Sequence, residues 1–92
     1  MIVSFACAET ERIFNGEPSQ RLPTDIQRTE RRKLLQLHAA TQLRDLWVPP
    51  GNQLEALRGN RSGQHSIRVN KQWRVCFRWE SGAHEVEIID YH

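Results

Sequence analysis

The chain has 92 residues, which is enough for one domain, read here as residues 1–92; the hydrophobic share is 38% and the charged share 26%. That composition excludes intrinsic disorder as the leading reading, and the short length leaves room for one modest core but not for a deep substrate cavity or a separate cofactor domain. Thirteen Lys and Arg against eleven Asp and Glu give a net charge of +2, too near neutral to name a partner. The longest apolar run is Phe5-Ala6-Cys7-Ala8, and no basic n-region precedes it. These features argue against a membrane span or a signal peptide, so a small cytoplasmic domain is expected. Cys7 and Cys76 lie far apart and read as two free, largely buried thiols.

Met1 to Phe5 opens the chain with strand-favouring residues. A short amphipathic segment from Ala8 to Asn15 follows, closed by Gly16 at a helix C′ position and by Pro18 beyond it. A second helix is expected to begin near Thr24 or Asp25, either of which can cap free N–H groups. Ile26, Leu34, Leu37 and Ala40 or Thr41 fall near helical spacing, and Glu30-Arg31-Arg32-Lys33 reads as a solvated face. His38 sits among leucines and reads as structural. Pro49-Pro50-Gly51 stops the helical region, with Trp47 beside it expected to pack.

The second half alternates. Gln53 to Leu57 reads as a short strand, Gly59 to Gly63 as a loop, and His65 to Val69 as a strand. Asn70-Lys71 marks a hairpin turn. Trp73, Val75, Phe77 and Trp79 then recur at period two, with Arg74, Cys76 and Arg78 opposite, and Val86 and Ile88 continue the apolar face after a second turn. The order β-α-α-β-β-β implies an α+β fold, with two N-terminal helices on one face of a twisted antiparallel sheet.

Between Arg58 and Arg78 the chain carries six basic residues, Arg58, Arg61, Arg68, Lys71, Arg74 and Arg78, and no acidic one. Alternation sends Arg68, Arg74 and Arg78 to the face away from the helices, where guanidinium forks match phosphate oxygens. Solvent faces of antiparallel sheets are normally charged, so a solvated face paired with Glu85 and Glu87 is the stronger reading on this ground alone. Asp90-Tyr91-His92 offers a carboxylate, a phenol and an imidazole, the groups that general acid–base chemistry uses, although terminal residues commonly fray. The four histidines and two cysteines hold no pair at zinc-ligand spacing, so metal catalysis is not expected. Gly59 to Gly63 lacks the Gly-Lys-Ser/Thr ending of a P-loop. No cofactor is implied.

Three pieces of the chain together are specific. They are Leu54-Glu55-Ala56-Leu57-Arg58-Gly59-Asn60-Arg61-Ser62-Gly63-Gln64-His65-Ser66-Ile67-Arg68-Val69-Asn70, Gln72-Trp73-Arg74-Val75-Cys76-Phe77, and Val86-Glu87-Ile88-Ile89-Asp90-Tyr91-His92. They closely resemble HigB-type toxins of the RelE/ParE superfamily of bacterial toxin–antitoxin systems. Met1-Ile2-Val3-Ser4-Phe5 and the stretch Ala40-Thr41 to Gly51-Asn52 extend the resemblance over nearly the whole chain.

The resemblance implies a RelE-like fold and a ribosome-dependent mRNA interferase that cleaves mRNA in the A site of the 30S subunit without a metal. It also implies that Arg74, Asp90, Tyr91 and His92 belong to the active centre, which reverses both of the blander readings above. Glu55 stands where some relatives carry a catalytic histidine, so a carboxylate here takes that proton-transfer role or the role moves elsewhere. Arg58, Arg61, Arg68, Lys71 and Arg78 would hold RNA phosphates. The implied partner is a HigA-type helix-turn-helix antitoxin, with operator DNA met through that complex and no membrane involved. The alternative on the same fold is a ParE-like inhibitor of DNA gyrase, which would need no terminal acid–base cluster.

Overall fold

The computed structural model describes residues 1–91, and His92 lies outside the described residues. The opening segment runs parallel to the last strand and joins it through bridges from Ile2 to Ala83 and from Phe5 to Val86. Val3 donates its backbone N–H to the Ala83 carbonyl at 2.7 Å, and Ala6 donates to Val86 at 3.0 Å. Helix α1 spans Ala8–Phe14. Gly16 follows with a φ of 83°, and its N–H bonds the Ile13 carbonyl while that of Glu17 bonds the Arg12 carbonyl. This pair of bonds is a Schellman motif, so the glycine expected at C′ ends the helix as its sequence position implies.

Helix α2 spans Gln27–Ala39 and is entered through a 3-10 turn at Thr24–Ile26. Neither Thr24 nor Asp25 caps it with a side chain, contrary to the sequence expectation. The entry is fixed by Ser19 and Gln27 instead. The Gln27 amide donates to the Ser19 and Leu22 carbonyls at 2.8 and 2.9 Å, and the Ser19 hydroxyl donates to the Glu9 carboxylate at 2.6 Å.

Four strands follow the helices: β1 at Glu55–Ala56, β2 at His65–Arg68, β3 at Trp73–Trp79 and β4 at Ala83–Asp90. They form one antiparallel sheet in the order β1-β2-β3-β4, so the α+β fold read from the sequence is the observed one. Cys76 pairs with Glu87 and Arg78 with His84, so Glu85 and Val86 together oppose Phe77. Glu85 takes a φ of 54° at this β-bulge, which sharpens the twist of β4. Gly82 enters β4 where an added Cβ would lie 2.9 Å from the Met1 carbonyl oxygen, so the close approach of the opening segment requires glycine.

The core lies between the helices and the sheet. Ile13, Leu34, Leu37, Ile67, Val75, Phe77, Val86 and Ile88 fill it. His38 is structural: its Nδ1 accepts the Ile2 N–H at 3.2 Å and its ring lies 5.2 Å from Phe14. Cys7 and Cys76 are free thiols, half-buried and buried respectively. Among the described residues no helix is long and apolar enough to cross a membrane.

Two further expectations fail. Glu30 and Lys33 are buried rather than solvated, because positions 30, 33, 34 and 37 share one helical face with the core leucines. Burial, helped by Asp25, raises the Glu30 carboxyl to about 7. Burial also lowers the Lys33 ammonium, whose Nζ donates to the Asn52 Oδ1 at 2.5 Å. Asn52 in turn donates to the Leu46 and Val48 carbonyls, which ties α2 to the 3-10 turns at Leu43–Trp47 and Pro50–Asn52. Trp47 is 63% exposed, because the turn points its neighbour Leu46 inward and leaves the indole outside.

Candidate active site

Directly paired residues of a sheet share a face, so the register sorts the side chains. One row across the sheet reads Glu55, Ser66, Cys76 and Glu87, and a second reads Arg68, Arg74 and Ile89. Both rows lie on the face away from the helices, together with Arg78, as alternation implies.

Arg74 does not project into solvent from this face; it is only 6% exposed. Its Nε donates to the Ser66 hydroxyl at 2.7 Å. Its Nη2 donates to the Gln53 carbonyl and reaches the Ser66 carbonyl at 3.4 Å. The Glu55 carboxylate lies 3.7 Å from Nε, and the Tyr91 ring centroid lies 5.6 Å from the guanidinium carbon. The burial follows from segments outside the regular strands, because the strand expected over Gln53 to Leu57 is reduced to Glu55–Ala56. Gln53, at a φ of 44°, turns its carbonyl towards β3, while the Tyr91 N–H is held by the Gln72 carbonyl at 2.6 Å. A guanidinium fixed by a hydroxyl and a carbonyl loses its rotamer freedom. That is the preorganisation that charge stabilisation needs.

Ser66, Gln53 and Gln72 escaped the sequence reading. Ser66 had a signal: it sits two residues before Arg68 on the same face, diagonal to Arg74 across the β2–β3 ladder. Gln53 and Gln72 act through main-chain carbonyls, which no side-chain pattern reports.

The remaining basic residues divide. Arg61 donates to Glu87 at 2.9 Å and to Gln64 at 3.1 Å. Arg78 faces Glu85 at 3.4 Å. Glu85 and Glu87 are thus ion-pair partners of this face, as the charge pattern implies. Arg58, Arg68 and Lys71 have no acidic partner among the described residues, and Arg58 and Lys71 are fully at the surface. The row of cations is therefore half neutralised, with Arg58, Arg68 and Lys71 left to attract an anion.

Asp90 pairs with Trp73 and so lies on the opposite side of β4 from Arg74, with its Oδ2 accepting from the Gln72 amide at 3.1 Å. Tyr91 does reach the Arg74 side, whereas Asp90 does not join that cluster. His65 lies on the helix side, half-buried, with its ring 6.3 Å from Phe77. Cys76 is buried beneath the face, and burial pushes its thiol up to about 11, so it stays protonated and unreactive at neutral pH.

A two-helix layer on a four-stranded antiparallel sheet is consistent with a RelE-like fold. Residues 3–92 match the family model described as the RelE-like toxin of type II toxin–antitoxin system HigB, and the chain belongs to that family. It is 40% identical over 93 residues to Toxin HigB-1 of Vibrio cholerae serotype O1, covering all of this chain and 98% of that toxin. It is 32% identical over 77 residues to a protein of Haemophilus influenzae, covering 84% of this chain and 76% of that protein. A type II toxin implies an antitoxin partner.

Proposed function

We propose that this toxin is a ribosome-dependent mRNA endoribonuclease that acts in the A site by metal-independent acid–base catalysis and so stops translation. The observation that carries the reading is the buried Arg74 fork, held by Ser66 and Gln53 with Glu55 and Tyr91 against it. In the reaction the ribose 2′-OH attacks the adjacent phosphorus, its proton leaves to a base, and the 5′ oxygen departs with a proton from an acid. The products are a 2′,3′-cyclic phosphate and a free 5′-OH.

Arg74 stabilises the charge that grows on the phosphorane oxygens. Glu55 and His92 share the proton transfers, Asp90 orients His92, and Tyr91 positions the nucleotide. Arg58, Arg61, Arg68, Lys71 and Arg78 hold mRNA or ribosomal RNA phosphates. Acid–base catalysis supplies about 10²–10⁴-fold. Holding the 2′-OH in line with the leaving oxygen supplies much of the rest, a task shared with the ribosome. The antitoxin is of the HigA helix-turn-helix type, operator DNA is bound through the complex, and the toxin works in the cytoplasm.

Mapping mRNA 5′ ends in translating extracts tests this reading. Wild-type protein should create new ends within codons, and Arg74→Ala and His92→Ala should not. Intact mRNA with the wild-type toxin, accompanied by inhibition of DNA gyrase, would overturn it in favour of the ParE-like alternative.

A further inference from the structure

The surface opposite the Arg74 face carries a groove of about 520 Å³ between the end of α1 and the outer side of α2. Its lining combines the apolar Ile13, Pro18 and Leu35 with the basic Arg28, Arg31 and Arg32. Leu35 is 41% exposed, an unusual position for a leucine on a helix whose other leucines are fully buried. Arg31 is tied to the end of α1 by its Nε bond to the Phe14 carbonyl at 3.3 Å. Arg28 and Arg32 have no hydrogen-bond or ion-pair partner among the described residues. The acid in the lining, Glu17, faces Arg12 at 3.9 Å. Positions 28, 31, 32 and 35 form one stripe two turns long, about 10 Å at the helical rise.

We infer that this groove docks an acidic amphipathic helix of the antitoxin, with its apolar side on Leu35 and its carboxylates on Arg28 and Arg32. The inference rests on the chain being the toxin of a toxin–antitoxin pair. Charge complementarity selects an acidic occupant, since two free arginines flank the groove. The apolar side chains in the lining select a peptide over RNA. A single-stranded RNA site pairs its cations with aromatic stacking platforms, and no aromatic side chain lines this groove. An amphipathic helix presents the apolar stripe and the acidic flanks that this surface complements.

Titrating the full-length toxin with its purified cognate antitoxin tests the proposal, with ribosome binding and mRNA cleavage measured alongside. Arg28→Glu/Arg32→Glu should weaken antitoxin binding at least tenfold, mainly through a slower, salt-sensitive association. Leu35→Ala should speed dissociation. Ribosome binding and cleavage should stay at the wild-type level in both variants. Arg28→Gln/Arg32→Gln, which adds no charge, should give a smaller loss in the same direction, and circular dichroism melting verifies folding of each variant. Antitoxin affinity within twofold of wild type in all variants overturns the groove assignment. So does a loss of ribosome binding with antitoxin binding retained, which would make the groove an RNA surface. A wild-type toxin that ignores the antitoxin at micromolar concentration overturns the partner reading itself.

Discussion

Arg74 donates its Nε hydrogen to the Ser66 hydroxyl at 2.7 Å, diagonally across the β2–β3 ladder. Both side chains are buried, so neither finds a replacement partner in water. Ser66→Ala should therefore leave one donor of the guanidinium unmatched and cost about 1–3 kcal/mol of folding stability. Cleavage on ribosomes should fall at least tenfold, because the fork loses its fixed orientation. Urea unfolding and single-turnover cleavage measure the two effects, and unchanged cleavage would show that Ser66 serves the fold alone.

Arg74→Lys tests whether charge alone suffices. An ammonium reaches one acceptor at a time, while the guanidinium here meets Ser66 and Gln53 together. The variant should fold with a lower melting temperature and cleave mRNA at least a hundredfold more slowly than wild type. Near-normal cleavage would reduce the role of Arg74 to a point charge.

The Tyr91 ring lies over the Arg74 guanidinium, 5.6 Å from ring centroid to Cζ. Tyr91→Phe keeps that contact and removes the hydroxyl, whereas Tyr91→Ala removes both. A role for the ring predicts that Tyr91→Phe retains most cleavage and Tyr91→Ala loses at least tenfold. Equal losses in the two variants would assign the role to the hydroxyl.

Glu30 gives a pH dependence with a definite sign. Burial, with Asp25 adding to it, raises its carboxyl from 4.5 to about 7 in the folded chain. The folded state therefore holds this proton more tightly than the unfolded state. The contribution of Glu30 to stability is greatest below pH 4.5, declines as the pH rises towards 7, and stays low above it. The full effect is about 3 kcal/mol. Denaturation of wild type and Glu30→Gln at intervals between pH 5 and 8 should show the wild type losing stability relative to the variant. Parallel curves would exclude a buried, ionising Glu30.

Asn52 is the acceptor for the buried Lys33 ammonium. Asn52→Ala should leave that charge unpaired and release the Leu46 and Val48 carbonyls, at a cost of about 3 kcal/mol. Lys33→Met/Asn52→Leu removes both polar partners and should recover most of the loss. A thermal melt of the three proteins reads the outcome, and a double variant no better than Asn52→Ala would contradict the pairing.

The sequence by itself determined the α+β class with two helices ahead of the main sheet, the open and covered faces of that sheet, and the C′ glycine that closes α1, whereas the expected opening strand is only a pair of isolated parallel bridges. Each rests on a local rule: period-two alternation from Trp73 to Trp79, the run of cations from Arg58 to Arg78, and the left-handed φ at Gly16. The family was legible too, because its motifs are contiguous. Tertiary structure alone decided which charges leave solvent. Arg74 is covered by Gln53 and Tyr91, one 21 residues before it and the other at the end of the next strand. Alternation assigns a face and says nothing of what lies over it. Glu30 sits at a core position of the helical repeat, but its charge suggested solvent, and packing prevailed. Chain-distant contacts set burial, and burial sets which charges are held rigid, so the opening count of +2 is less informative than where each charge is lodged.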